Sequence, residues 1–289
     1  MDLGLAYDST SERPEGVALG TPFYMSPEQA QASGEIGPAS DLFSLGALFF
    51  ELLTGQRPFS GHTTFALLAK IALQVSPRLE DVWPHAPRSL ETFIARALAR
   101  DPAARFSSAR EVAGELERLR HARLDAEVPI ASDGVSVEPN PDHLVAVIFG
   151  RLPLSSNVGR SREELRRIVE QHRGSVVSLL GRGVVAMFYG ECADGLLRAA
   201  DAALELGQCI AGARWSLVTG GSLPAGAGLS ESIIERGTRA LERARTCADE
   251  ACVRVDDETA GLLEEHYVIE GCAGALSLRA MRENGCSGP

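Results

Sequence analysis

Ser9, Thr10 and Ser11 sit in a polar stretch between Tyr7 and Val17. A phosphate added to any of these hydroxyls would bring strong negative charge and new acceptor oxygens, although solvated loops have the same composition. Downstream, Gly20-Thr21-Pro22-Phe23-Tyr24-Met25-Ser26-Pro27-Glu28 contains two prolines, which fix φ and push the residue before each out of the helical region. The stretch therefore reads as an ordered extended loop. Ser26-Pro27-Glu28 reads as the cap, first position and acidic first turn of a short helix. A rigid loop running into a capped helix suits a surface on which another chain is laid; a Pro-rich connection between helices would read the same way. Thr21 alone is a turn residue before Pro22, and Asp2-Leu3-Gly4 is a carboxylate at a turn. None of the six cysteines (Cys192, Cys209, Cys247, Cys252, Cys272, Cys286) has CxxC spacing, and the histidines do not cluster with them. Reduced thiols rather than a zinc site follow.

The elements that must position these groups divide into two halves. The chain has 289 residues, enough for two cores. A hydrophobic fraction of 45% with 23% charged residues is that of a soluble globular protein. A net charge of -11 argues against nucleic acid or an anionic membrane as partner. Met1-Asp2-Leu3-Gly4 has no basic leader, and the apolar run Leu42 to Leu53 is too short to span a bilayer; a cytoplasmic protein is expected. That run lies in a helix that Ser40 or Asp41 can cap and Gly55 can end. It is apolar on nearly every face, which predicts burial all round. Thr64 to Gln74 and Pro87 to Ala99 read as amphipathic helices, and Ser107 or Ser108 caps another through about Leu119. Arg120 to Asp142, with three prolines and little periodicity, reads as a linker. Beyond it come a strand from Leu144 to Leu152 and a helix from Arg162 to His172. Strands Val176 to Leu180 and Val184 to Phe188 follow, joined by Gly181-Arg182-Gly183, then a helix from Asp194 to Gly207 and a strand from Arg214 to Thr219. This β-α-β-β-α-β order predicts a mainly antiparallel sheet covered by helices.

Asp2-Leu3-Gly4, the stretch Thr21 to Glu28, the run from Asp41 through Gly55 and Asp101-Pro102-Ala103-Ala104-Arg105-Phe106 occur in the order and spacing of bacterial serine/threonine protein kinases of the eukaryotic-like type. The chain resembles the C-terminal lobe of that family over residues 1 to about 120. By this resemblance Asp2 holds Mg²⁺ over the ATP phosphates, with Leu3 where the family has an aromatic. Thr21 faces the incoming hydroxyl, and Asp41 bonds the backbone of the catalytic loop. Glu28 pairs with Arg105 in a buried ion pair, and Ser9, Thr10 and Ser11 become candidate activation-segment phosphosites. Phe43 stands where the family usually has Trp. No Gly-rich phosphate loop, Val-Ala-Ile-Lys strand, helix Glu or His-Arg-Asp loop with its Asn occurs in these residues, so ATP and Mg²⁺ are implied by resemblance at an incomplete site.

Val145 to Arg151, Gly181-Arg182-Gly183 and Ile234 to Arg239 resemble the nucleotide cyclase homology domain, in the degenerate form fused to large bacterial kinases. Active cyclases carry metal-binding Asp residues where Arg151 and Arg182 stand, and arginine binds no cation. Glu235 replaces a substrate Asn, and Arg239 retains the family's Arg.

The expected fold is α+β: a mainly helical kinase C-lobe without the N-lobe or catalytic loop (1–120), a linker (121–142), a ferredoxin-like α/β cyclase-homology domain (143–280) and a tail (281–289). The expected function is serine/threonine protein kinase activity, with this chain a C-terminal part that begins in mid-fold and is inactive alone. The alternative is a non-catalytic docking module with an inert cyclase-like domain. Expected partners are a protein substrate or a partner kinase and a second copy through the cyclase-like domain, with neither nucleic acid nor membrane.

Overall fold

A computed structural model describes residues 22–31, 36–121, 140–153, 158–191, 193–222, 228–243, 252–272 and 275–282. Asp2, Ser9, Thr10, Ser11 and Thr21 lie outside them. The chain forms two compact units, Met1–Ser136 and Val137–Pro289.

Among the described residues no strand precedes Asn140. The first unit starts with a single 3-10 turn, Pro22–Tyr24, and the short helix α1, Pro27–Ala30. Ser26 caps α1 in a reciprocal box: Gln29 N donates to Ser26 Oγ, and Ser26 N donates to Gln29 Oε1. α2 spans Pro38–Thr54, and its start corrects the sequence reading. Gly37 is the cap, Pro38 takes the first helical position with its φ already helical, and Ser40 and Asp41 fall inside the first turn. Gly55 does end the helix, at φ 72°, the left-handed region that glycine enters without a Cβ clash.

Two burial expectations also change. α2 buries Leu42, Phe43, Gly46, Ala47 and Phe50, but leaves Leu48 44% and Leu52 70% exposed. Apolar composition all round a helix does not supply neighbours all round it. α3, Thr64–Leu73, reads as amphipathic, yet every residue from Phe65 to Leu73 is buried, because α1 and the Pro22–Tyr24 turn pack on it. α4 (Leu79–Val82), α5 (Arg88–Ala97) and α6 (Ala109–His121) complete the unit. An aromatic chain knits it together: Phe49 meets Phe93 edge-on at 5.7 Å, and Phe93 meets Phe106 at 5.2 Å.

The second unit is built from β1 (Asn140–Arg151), α7 (Val158–Gln171), β2 (Ser175–Ser178), β3 (Gly183–Glu191), α8 (Asp194–Cys209) and β4 (Arg214–Ser222). α9 (Glu231–Arg243), β5 (Val253–Val255), α10 (Asp257–Leu263), β6 (Tyr267–Glu270) and β7 (Leu276–Met281) extend it. The sheet order is β2-β3-β1-β4-β5-β7-β6. Its first four strands pair antiparallel throughout, the ferredoxin-like arrangement of a split β-α-β. β5 joins β4 in parallel after the α9 crossover, and β7 and β6 follow antiparallel. The fold class is therefore α+β, a helical unit followed by a mixed ferredoxin-like one.

Alternation along β1 sends Ala146 and Ile148 to one face, where Leu165, Ile168 and Val169 of α7 and the alanines of α8 form the core. Phe149 points to the opposite face, under α9. A Cβ on Gly237 of α9 would stand 2.2 Å from the Phe149 ring, so glycine sets the depth at which α9 seats. Ser216 Oγ donates to Gly237 O at 2.7 Å and fixes the same contact.

Candidate functional site

The stretch that follows Thr21 is pinned to the first unit at two points. At its start, Tyr24 OH donates to Glu51 Oε2 at 2.7 Å and Tyr24 O accepts from Ser44 Oγ at 2.7 Å, both residues of α2. The bond to Glu51 raises the Tyr24 phenol above its ordinary pKa. Arg57, just beyond α2, places its guanidinium 3.8 Å from the centre of the Phe23 ring. These holding residues were not legible as such: Glu51 shows in the sequence only as a lone carboxylate in an apolar run.

The second point is Glu28, held by Arg105 through a two-pronged pair, Oε1 to Nη1 at 2.8 Å and Oε2 to Nη2 at 2.8 Å. Ser40 Oγ donates to the same Oε1 at 2.6 Å. Arg105 also donates from Nε to Ala99 O, from Nη1 to Ala39 O and from Nη2 to Arg100 O, at 2.7, 2.9 and 2.9 Å. A guanidinium has five N–H donors, and these five bonds use all of them. The Arg105 side chain is fully buried and that of Glu28 is 10% exposed. Burial pushes the Glu28 carboxyl up, but the bonds from Arg105 and Ser40 outweigh it and hold the pKa at about 2. One charged pair thus ties the capped turn to the start of α2 and to the loop after α5.

The structure brings Glu28 and Arg105 together, adds Ser40 between them, and leaves Asp41 exposed in the first turn of α2. In the second unit Arg151 ends β1, Arg182 lies in the β2–β3 turn, and Glu235 and Arg239 pair along α9 at 3.3 Å. Among the described residues no three of His, Cys, Asp or Glu gather as a metal site. No described helix is long and apolar enough to cross a membrane.

Residues 1–115 match the family described as "Protein kinase domain". Over 120 residues the chain is 37% identical to Serine/threonine-protein kinase PknL of Mycobacterium tuberculosis, covering 41% of this chain and 30% of that one. Over 131 residues it is 35% identical to Serine/threonine-protein kinase Pkn1 of Myxococcus xanthus, covering 44% and 19%. The chain thus spans less than a third of the length of these relatives. The guanylyl cyclase domain of the RhoGC fusion protein from Blastocladiella emersonii superposes with a TM-score of 0.41 and 11% identity, covering 48% of this chain and 96% of that one. A helical unit that matches the protein kinase family over residues 1–115 is thus followed by a unit built on a mixed seven-stranded sheet.

Proposed function

We propose that the first unit supplies the acceptor side of a serine/threonine protein kinase site, for phosphoryl transfer from ATP to protein hydroxyls in the cytoplasm. The observation that carries this reading is the Glu28–Arg105 bond set, which fixes the capped turn at the end of the Pro-rich stretch. In this reading Thr21 faces the incoming hydroxyl, Asp2 is the Mg²⁺ ligand, Asp41 tethers the catalytic loop, and Ser9, Thr10 and Ser11 are phosphosites. The phosphate-positioning Lys and the catalytic Asp, absent from these 289 residues, come from another polypeptide stretch. The cyclase-like domain, taken as 143–280 after a 121–142 linker, carries no cyclase chemistry, since Arg151 and Arg182 cannot hold a metal.

The reading is tested by mixing the purified chain with the segment of a bacterial relative that runs from its Gly-rich loop through its catalytic loop. The expected result is no transfer from labelled ATP to a protein acceptor by either part alone, and transfer by the mixture. Transfer by this chain alone, or a stable but silent complex, overturns it. One observation favours the non-catalytic docking reading: the Arg105 network is complete without any catalytic group, while Leu48 and Leu52 stand exposed on α2. The stable but silent complex is the outcome that reading expects.

A further inference from the structure

The last residue of β1, Arg151, lies directly across from Arg214 of β4 on one side and Gly183 of β3 on the other. Directly opposed residues share a face with their Cβ atoms about 4.5–5.5 Å apart, and like charges so placed destabilise a sheet. Two more guanidiniums are tied to the same strand end. Arg182 Nη1 donates to Leu152 O at 3.1 Å, while Leu152 N donates back to Arg182 O at 2.9 Å. Arg162 of α7 donates from Nη2 to Gly181 O at 2.8 Å, and its Nε is buried without a partner.

Elsewhere in this unit arginines find carboxylates: Arg167 with Glu164, Arg198 with Asp194, Arg236 with Asp256, Arg279 with Glu270. Around the end of β1 none of the four does so among the described residues, in a chain with 39 acidic and 28 basic side chains. Arg162 and Arg182 each give one N–H to a backbone oxygen, and Arg151 and Arg214 give none to any described group. All four are partly exposed, so their remaining donors are open to a ligand.

We propose that this end of the sheet binds a polyphosphate group and does so without a divalent cation. Guanidinium forks match phosphate oxygens in bidentate geometry, and charge-assisted bonds of this kind are the stronger ones. Arg151 and Arg214 stand on the face of the sheet that Phe149 shares, and Arg162 comes from α7 on the other. The four charges therefore ring the strand end, which a chain of several phosphates can span and a single carboxylate cannot. Because arginine carries donors only, the cation that usually screens such a ligand is replaced by the protein's own charge. The proposal does not depend on the kinase reading of the first unit.

The test is calorimetric titration of the full chain with tripolyphosphate in excess chelator, paired with thermal unfolding. Saturable binding is expected, with affinity unchanged by added Mg²⁺ and reduced roughly tenfold or more in Arg151→Gln and in Arg214→Gln. The unliganded Gln variants should melt no lower than the native chain, since each relieves the like-charge pair. Arg151→Lys, which keeps the charge, should bind more tightly than Arg151→Gln and serves if a Gln variant does not fold. ATP in chelator forms the second arm: tighter binding than tripolyphosphate assigns the ligand to nucleotides, equal binding to the phosphate chain alone, and either supports the site. Absence of binding at millimolar tripolyphosphate, a requirement for Mg²⁺, or affinity unaltered in both Gln variants overturns it.

Discussion

Arg105 directs five N–H donors at protein oxygens, two of them on Glu28, while Arg151 directs none at any described residue and faces Arg214 across the sheet. The first is an internal tie. Taking such a charge out of water costs several kcal/mol and is repaid only where every donor is met, and at Arg105 every donor is met. The second belongs to a group of cations still partly in water, whose mutual repulsion the fold leaves uncompensated. The same residue type thus holds a surface in place in one unit and forms an open, charged strand end in the other. Burial and the count of satisfied donors tell the two uses apart; residue identity does not.

The comparison is broken most sharply by removing the ties. Arg105→Met strands the Glu28 carboxylate and should destabilise the first unit by about 3–5 kcal/mol. Hydrogen exchange read peptide by peptide should show lost protection in α1, α2 and α6 and unaltered protection in the second unit. Protection retained in α1 would show that the capped turn is held by something else.

Acid should act on the same bond. The Glu28 pKa is depressed from 4.5 to about 2, so its contribution is fully present above about pH 4.5 and is lost as pH falls toward 2. The drop corresponds to roughly 3 kcal/mol. Exchange in the first unit, corrected for intrinsic rates, should therefore accelerate between pH 5 and pH 3 in the native chain (range set by the carboxylate pKa values, about 4 unfolded). Arg105→Met should flatten that response.

Ser40→Ala removes one donor and leaves both charges in place. It should cost about 1.5–3 kcal/mol, the range for a bond to a charged group, measurable as a partial loss of protection at the start of α2. The smallest effect belongs to the other side of the comparison. Arg151→Gln should change unliganded stability by less than about 0.5 kcal/mol, in the stabilising direction, as read by thermal unfolding. A loss as large as that of Arg105→Met would mean that Arg151 too is an internal tie.

Local chemistry was legible in the sequence wherever one residue decides the outcome. Ser26 before Pro27 announced a capped turn and Gly55 a helix end, and the structure has both. Of Gly181-Arg182-Gly183, the first two residues form the turn between two strands and Gly183 already opens β3. The start of α2 was misjudged because two signals competed. Ser40 and Asp41 are good caps, but Pro38 pre-sets helical φ two residues earlier, which frees the Ser40 hydroxyl for Glu28. The burial of α2 and α3 was reversed for a different reason: composition reports what a face could bury, and only packing decides what lies against it. Leu52 is exposed and Lys70 buried on helices whose patterns suggested otherwise. At the site, the resemblance that named Glu28 and Arg105 said nothing of Ser40 or of the three backbone carbonyls, since acceptors on the main chain leave no trace in residue identity. The opposition of Arg151 and Arg214 was hidden likewise. It depends on the register between strands 63 positions apart, which a single sequence does not print.

The account stands or falls on whether the stretch that Glu28 anchors is an acceptor-side surface. The direct measurement is the rate of phosphate transfer to a protein acceptor by this chain mixed with the complementary kinase segment, comparing native Thr21 with Thr21→Val and Thr21→Ser. The account predicts transfer by the native mixture, a fall of roughly tenfold or more in Thr21→Val with segment binding unchanged, and recovery in Thr21→Ser. Transfer that is indifferent to the hydroxyl at Thr21, or a tight complex that transfers nothing, would contradict it.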